Sequence, residues 1–200
     1  MNKGQQTKEM IIVKAAELFN IKGYAACSLS DLMTATGLKK GGIYNHFSNK
    51  DELALEAFKY STDKIEAVLA KITIPANSHK ESLTLILDFY LEYALNPLIQ
   101  GGCPILNTLV DADNTNPTLI SLARKKTERL LKRLEYIIHQ GQLEGEFQPN
   151  VEPRSIALVI FSGIEGALLL TKAYNDDQAI KSMIDCLHSY LETTLFIKPS

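Results

Sequence analysis

An all-α protein of about nine helices is what the sequence predicts, and three observations carry that expectation. Apolar residues recur at three- and four-residue spacing along the whole 200-residue chain, strand-like alternation is scarce, and helix-opening and helix-ending residues fall between the periodic segments. The hydrophobic fraction of 46% and the charged fraction of 22% belong to an ordinary globular chain, long enough to bury a core.

The elements follow in order. The first helix is expected over about residues 6–22, with Ile11, Ala15, Leu18 and Phe19 on one face and Gly23 as its stop. Ser28, three residues before Asp31, makes a capping box for a short helix that turns Leu29, Leu32 and Met33 inward and breaks at Gly37. A second short helix is expected from Lys40 to Phe47. Ser48 and Asp51 repeat the capping pattern before a longer helix striped by Leu55, Phe58, Thr62, Ile65 and Leu69. Pro75 and Asn77 mark a loop. Ser78 and Glu81 then open a helix with Leu83, Leu87, Tyr90, Leu91 and Ala94 inward, ended by Asn96-Pro97. Gly101-Gly102-Cys103-Pro104 reads as a turn, with Pro104 suited to the first position of a short helix. Asn116-Pro117 caps the longest helix, through Leu119, Ala123, Leu130, Leu134 and Ile137 to about His139; Gly141, Gly145 and Pro149 read as the loop after it. Two apolar helices, about 153–174 and 176–196, complete the chain. Domains are expected at 1–66 and 67–200, with the fourth helix shared between them.

Composition excludes several classes of function. The net charge is −2, so the chain is no polycation, although residues 1–60 carry a small excess of lysine over carboxylate. Three widely spaced cysteines, Cys27, Cys103 and Cys186, show no metal-ligand or disulfide spacing, which suits a reducing cytoplasm. The four histidines include no pair at helical ligand spacing, so neither a metal nor a cofactor is expected. No signal peptide is visible, and the apolar run Ile156 to Leu170 is interrupted by Glu165, so it reads as a buried helix and not a membrane span. No nucleophile, base and orienting group stand together, and an enzyme is not expected.

The segment from Ser28 to Lys50 carries the functional signal. Two short helices around a glycine turn match a helix-turn-helix plan, whose second helix enters the DNA major groove. Gly41 and Gly42 give that helix a slim leading edge, although each glycine costs helix stability of about 1 kcal/mol. Lys39 and Lys40 stand at the same end, within reach of phosphates or guanine edges. Tyr44, Asn45 and His46 offer hydrogen-bonding groups one turn later, and Lys50 adds charge at the start of the next helix. Plainer roles exist for each: Tyr44 and Phe47 as core, His46 as a packing residue, the lysines as a solvated face.

The run Ala15-Ala16-x-Leu18-Phe19-x-x-x-Gly23-Tyr24, followed by Ser28, Gly37 and Lys40-Gly41-Gly42-Ile43-Tyr44-Asn45-His46-Phe47-x-x-Lys50, resembles the signature of the Tet repressor (TetR/AcrR) family. The resemblance covers about the first quarter of the chain. It implies a DNA-binding repressor acting as a homodimer on palindromic double-stranded operator DNA, with a C-terminal domain for ligand binding and dimerisation. It implies a phosphate contact for Ser28, base approach for Lys40, Gly41 and Gly42, and phosphate contacts for Tyr44, Asn45, His46 and Lys50. Two positions depart from the family pattern. Lys39 stands where many members have a capping Ser or Thr, and Gly42 where many have Thr.

The last two long helices carry Ala157, Gly163, Gly166, Ala167, Ala173 and Ala179, small residues that let helices approach closely, and the resemblance implies that these helices form a four-helix bundle with a second copy. A small apolar or amphipathic effector is expected in a cavity lined by Phe89, Tyr93, Cys103, Leu106 and Phe161, residues that equally suit a plain core. Two further readings stand beside ligand release: a thiol-responsive repressor using Cys103, and a helical binding or enzymatic protein that keeps the motif without using it.

Overall fold

The computed structural model describes residues 2–112 and 115–197. Among them are nine helices: α1 (Lys3–Lys22), α2 (Leu29–Thr36), α3 (Lys40–Tyr44), α4 (Lys50–Thr73), α5 (His79–Leu95), α6 (Pro104–Asp111), α7 (Pro117–Leu143), α8 (Pro153–Tyr174) and α9 (Gln178–Thr194). The chain divides into two compact units, Met1–Ile65 with Leu98–Lys126, and Glu66–Pro97 with Thr127–Ser200.

Local chemistry sets most helix ends. Asn2 caps α1, which extends the helix three residues before the expected start, and Gly23 ends it. Ser28 and Asp31 form the expected reciprocal capping box, and Gly37 closes α2 in the left-handed conformation that glycine adopts without strain. Pro104 begins α6, and the Asn116 side chain accepts from the backbone of Leu119 at the head of α7. Three expectations need correction. The cap of α4 is Asn49, whose Oδ1 accepts from Glu52 N, while the Glu52 carboxylate reaches back to Ser48; Asp51 faces Tyr24 instead. The stripe of α4 is buried at Phe58, Thr62, Ile65 and Leu69 as expected, but its first part runs through Leu53, Ala54 and Ala57 and leaves Leu55 half-exposed. Gly141 belongs to α7, not to a loop. The Phe147 ring occupies the space its Cβ would need, so the glycine serves a tertiary contact.

The first unit is built on a core of Ile11, Ala15, Ala16, Cys27, Leu32, Ile43, Phe47, Leu53 and Ala57. A polar clasp ties the end of α1 to the segment around α6. Asn20 Nδ2 donates to the carbonyls of Gln100 (2.8 Å) and Gly102 (2.9 Å), and Asn107 Nδ2 lies within hydrogen-bonding distance of Asn20 O, Asn20 Oδ1 and Gly101 O. Gly101 has φ +106°, and a Cβ there would stand 2.7 Å from the Asn20 carbonyl oxygen. Gly23 is equally constrained, because a Cβ would meet the Asp111 carboxylate, which accepts from Ala25 N at 3.0 Å.

In the second unit α9 packs on α5 and α8. Ile156, Ile160, Ile164 and Leu168 of α8, with Ile180, Ile184, Leu187 and Leu191 of α9, are buried at helical spacing. Phe147 stacks on Phe196 at 5.3 Å, and Arg154 bridges Glu128 and Glu135 of α7. Helix α8 is long and apolar enough to cross a membrane by length and composition, yet it buries seven residues against its own chain, Glu165 among them. It is a core helix. Its small residues divide: Ala157 and Ala167 are buried and Gly163 packs on Met183 and Leu187, whereas Gly166 faces open space.

Candidate nucleic-acid interface

The geometry of residues 28–50 is fixed from beneath. Leu32, Ile43 and Phe47 turn their apolar sides into the core of the first unit, which settles Phe47 as a packing residue at 2% exposure. The opposite side is left to solvent: Ser28, Lys39, Lys40, Gly41 and Asn45 are exposed, and Gly42, Tyr44, His46 and Lys50 are half-buried. The nine candidate residues therefore all keep some solvent exposure, in and beside α2, α3 and the start of α4.

The two adjacent glycines differ. A Cβ at Gly41 would meet nothing within 4 Å, so the fold of this chain gives no reason for glycine there. A Cβ at Gly42 would sit 3.3 Å from Leu38 Cβ, tighter than ordinary contact, so Gly42 is explained at least in part by packing inside the motif. Lys39 occupies the N-cap of α3 without a side-chain cap hydrogen bond, as expected for a residue lacking a hydroxyl. Among the described residues neither Lys39 nor Lys40 has an ion-pair partner.

Two other candidates are held by their own chain. The Ser28 hydroxyl bonds Asp31 Oδ2 at 2.8 Å, and Asp31 is clamped further by Lys22 at 2.5 Å. Lys22 first, then the Ser28 backbone and hydroxyl, hold the Asp31 carboxyl well below the usual carboxylate range. Lys50 Nζ donates to the Tyr24 carbonyl at 2.6 Å and lies 4.5 Å from the centroid of the Tyr24 ring. The Tyr24 hydroxyl donates to Asp51; burial and this carboxylate push its pKa up. The Tyr24–Asp51 link is a positioning feature with no local sequence signal, since its partners are far apart in the chain.

The expected effector lining divides between the units. Phe89 and Tyr93 lie on α5 with ring centroids 5.9 Å apart, and Tyr93 is buried. Phe161 borders a small void with Tyr90 and Leu69. Cys103 and Leu106 belong to the first unit. Cys103 is 8% exposed at the head of α6 and Cys27 is 1% exposed; burial pushes the Cys27 thiol up, away from the reactive thiolate. Nothing here supports a thiol sensor.

A three-helix core that holds a glycine-fronted, lysine-flanked helix toward solvent defines the class: a helix-turn-helix DNA-binding regulator. The family model described as "Bacterial regulatory proteins, tetR family" matches residues 11–57, and "Tetracyclin repressor-like, C-terminal domain" matches residues 80–187. The chain belongs to the TetR family of transcriptional regulators. It is similar to a TetR transcriptional regulator from Chloroflexus aurantiacus, 35% identical with a TM-score of 0.94, over 99% of this chain and 100% of that one. A TetR-family regulator from Cytophaga hutchinsonii is 32% identical, covers 100% and 99%, and has a TM-score of 0.89. A third structure, from Saccharomonospora viridis and in complex with choline, is 17% identical over 97% and 100% with a TM-score of 0.85, and shares the fold alone.

Proposed function

We propose that this regulator is a repressor that binds a palindromic operator as a homodimer and is released by a small molecule. The observation that carries the DNA-contact assignment is the open space in front of Gly41 beside the exposed Lys39 and Lys40, which have no ion-pair partner among the described residues. Backbone without a Cβ approaches base edges closely, Lys40 can reach a guanine edge beside it, and Lys39 can neutralise a phosphate. Lys40, Gly41 and Gly42 are assigned to the bases. Ser28, Lys39, Tyr44, Asn45, His46 and Lys50 are assigned to the backbone of the duplex.

The dimer reading rests on α8. Leu158, Val159, Leu169, Leu170 and Tyr174 are between 43% and 74% exposed, and with Gly166 and Ala173 they form an apolar and small stripe at helical spacing. A second copy related by a two-fold axis would cover the stripe on both chains and set two recognition helices for one palindrome. The effector reading places a small molecule within the second unit; the choline-bound neighbour gives it support as a fold relative. The test is a gel shift and footprint on the DNA upstream of the protein's own gene, with sedimentation at working concentration. A protected palindrome, a dimer and derepression of a reporter on gene deletion are expected. A stable monomer, or protection without symmetry, would sink the reading.

A further inference from the structure

Helix α7 sets Arg129 and Arg133 one turn apart on the wall of a cleft of about 710 Å³ within the second unit. That volume lies in the range of small-molecule sites, roughly 300–1,000 Å³. The cleft also has an apolar wall of Ala70, Ile74, Leu130, Tyr136 and Ile137. Ile74 is 80% exposed and Tyr136 63%, so two bulky side chains are held out to solvent on that wall. A neighbouring apolar void of about 20 Å³, also bordered by Arg133, has room for nothing larger than a water-sized group.

Arg133 sets the chemistry. Its Nη2 donates to the Leu69 carbonyl at 3.1 Å and to the Thr73 hydroxyl, which fixes the guanidinium; Nε and Nη1 have no acceptor among the described residues. Burial pushes its pKa down, Glu66 opposes that, and Arg129 adds to it. A half-buried cation without a close carboxylate is costly, and an anion arriving beside it recovers that cost. Glu66 is the nearby carboxylate, and it pairs with Arg129 at 3.4 Å. The group Glu66, Arg129 and Arg133 thus carries one positive charge in excess. The cleft's other carboxylate, Glu144, faces His79 at 3.3 Å and stands eleven positions beyond Arg133, about 16 Å at 1.5 Å per residue.

We infer that this cleft is the effector site and selects a small organic monoanion with an apolar body. The carboxylate accepts from one of the two remaining donors of Arg133, Nη1 or Nε, which lie on different edges of the guanidinium, and the body lies along Leu130, Tyr136 and Ile137. Glu66 disfavours a phosphate dianion at the same place. The inference deepens the effector reading given above and rests on it for its biological meaning, while its binding chemistry is tested without DNA.

Calorimetry on the full-length protein would use straight-chain and phenyl-substituted carboxylates of four to ten carbons, with the matching alcohols, amines and alkyl phosphates. The best carboxylate should bind one per chain, about tenfold or more tighter than its alcohol, as expected for a charge-assisted contact at a desolvated site. Hydrogen exchange on the wild-type protein should show protection over residues 70–79 and 129–137, which locates the site with no variant. Arg133→Met should reduce carboxylate affinity to that of the alcohol and leave the alcohol unchanged; if it fails to fold, Arg133→Lys should keep the preference for carboxylate over alcohol. An alcohol, amine or phosphate that binds as tightly, no carboxylate binding across the panel, or protection elsewhere would overturn the inference. Operator binding without any added anion is measured separately, so loss of the DNA-binding reading and loss of the cleft assignment give different results.

Discussion

The two compact units tolerate imperfection differently. In the first, most unusual residues answer to a contact made by the chain itself: Gly23 yields to Asp111, Gly101 to Asn20, Gly42 to Leu38, and Asp31 to Ser28 and Lys22. Gly41 is the exception. In the second, a guanidinium keeps two nitrogens without acceptors among the described residues, bulky apolar groups line an open cleft, and α8 presents an apolar stripe. The difference teaches where partners are to be sought. A surface that reads DNA gains from rigidity fixed in advance, because ordering it on binding would cost affinity. A surface that changes with a ligand needs unfilled space and unsatisfied charge for that ligand to satisfy.

The sharpest way to break the comparison is Gly101→Ala. The methyl group must be placed at φ +106° and 2.7 Å from a backbone oxygen, and the expected loss is about 2–4 kcal/mol of unfolding free energy in urea. A loss near zero would mean that the clasp between Asn20 and Asn107 is slack. Gly41→Ala should behave in the opposite sense. Stability should hold or rise by up to about 1 kcal/mol, since alanine is the better helix former, while operator affinity falls by about 1–3 kcal/mol through lost base approach. Unchanged affinity would remove Gly41 from the interface.

A smaller effect is expected for Lys40→Ala, which should weaken operator binding and relax sequence preference at one position while leaving non-specific binding nearly unchanged; uniform weakening with a salt slope lower by about one would make Lys40 a phosphate contact instead. Lys50→Ala is the more searching variant, because Lys50 is already bonded to Tyr24 O and over its ring. It should lower both the salt slope and the melting temperature. A change in melting temperature alone would make Lys50 a brace for α4 and not a phosphate contact.

The acid limb of stability should register Asp31. Its folded pKa is depressed, so its contribution is present above the unfolded carboxylate value of about 3.9 and is lost as pH falls toward the folded value, where the unfolded chain binds the extra proton. Asp31→Asn should therefore flatten the fall in stability below about pH 4. An identical slope in wild type and variant would show that Lys22 and Ser28 leave that carboxylate's titration unchanged. The smallest effect is chemical: in native protein, a thiol reagent should modify exposed Cys186 rapidly, and Cys27 and Cys103 only on unfolding.

Much of the architecture was legible because it is written within four residues. The Ser28–Asp31 box, the Gly37 stop, Pro104 at a helix start and Asn116 before α7 each depend on neighbours one turn away, and each stands where the pattern placed it. The same closeness made the helix-turn-helix segment visible, since Lys39 to His46 are consecutive. Failures came where a local rule met a distant contact. Gly141 read as a loop residue because nothing nearby announces that Phe147 turns back over α7. Asn49 displaced Ser48 as the cap of α4 by a one-residue shift that capping patterns do not resolve. Arg133 is hidden in the polar run of α7 and gave no signal at all.

By itself the sequence determined the helical class, the order of helices and the place of the helix-turn-helix segment, because periodicity and capping act over a single turn of chain. Tertiary structure alone decided which of two adjacent glycines is free, that Leu98–Lys126 packs with the N-terminal helices, and that Arg133 of α7 is held by a carbonyl and a hydroxyl and not by a carboxylate among the described residues. Those properties depend on groups many residues apart meeting within a few ångströms, and no local pattern encodes such a meeting.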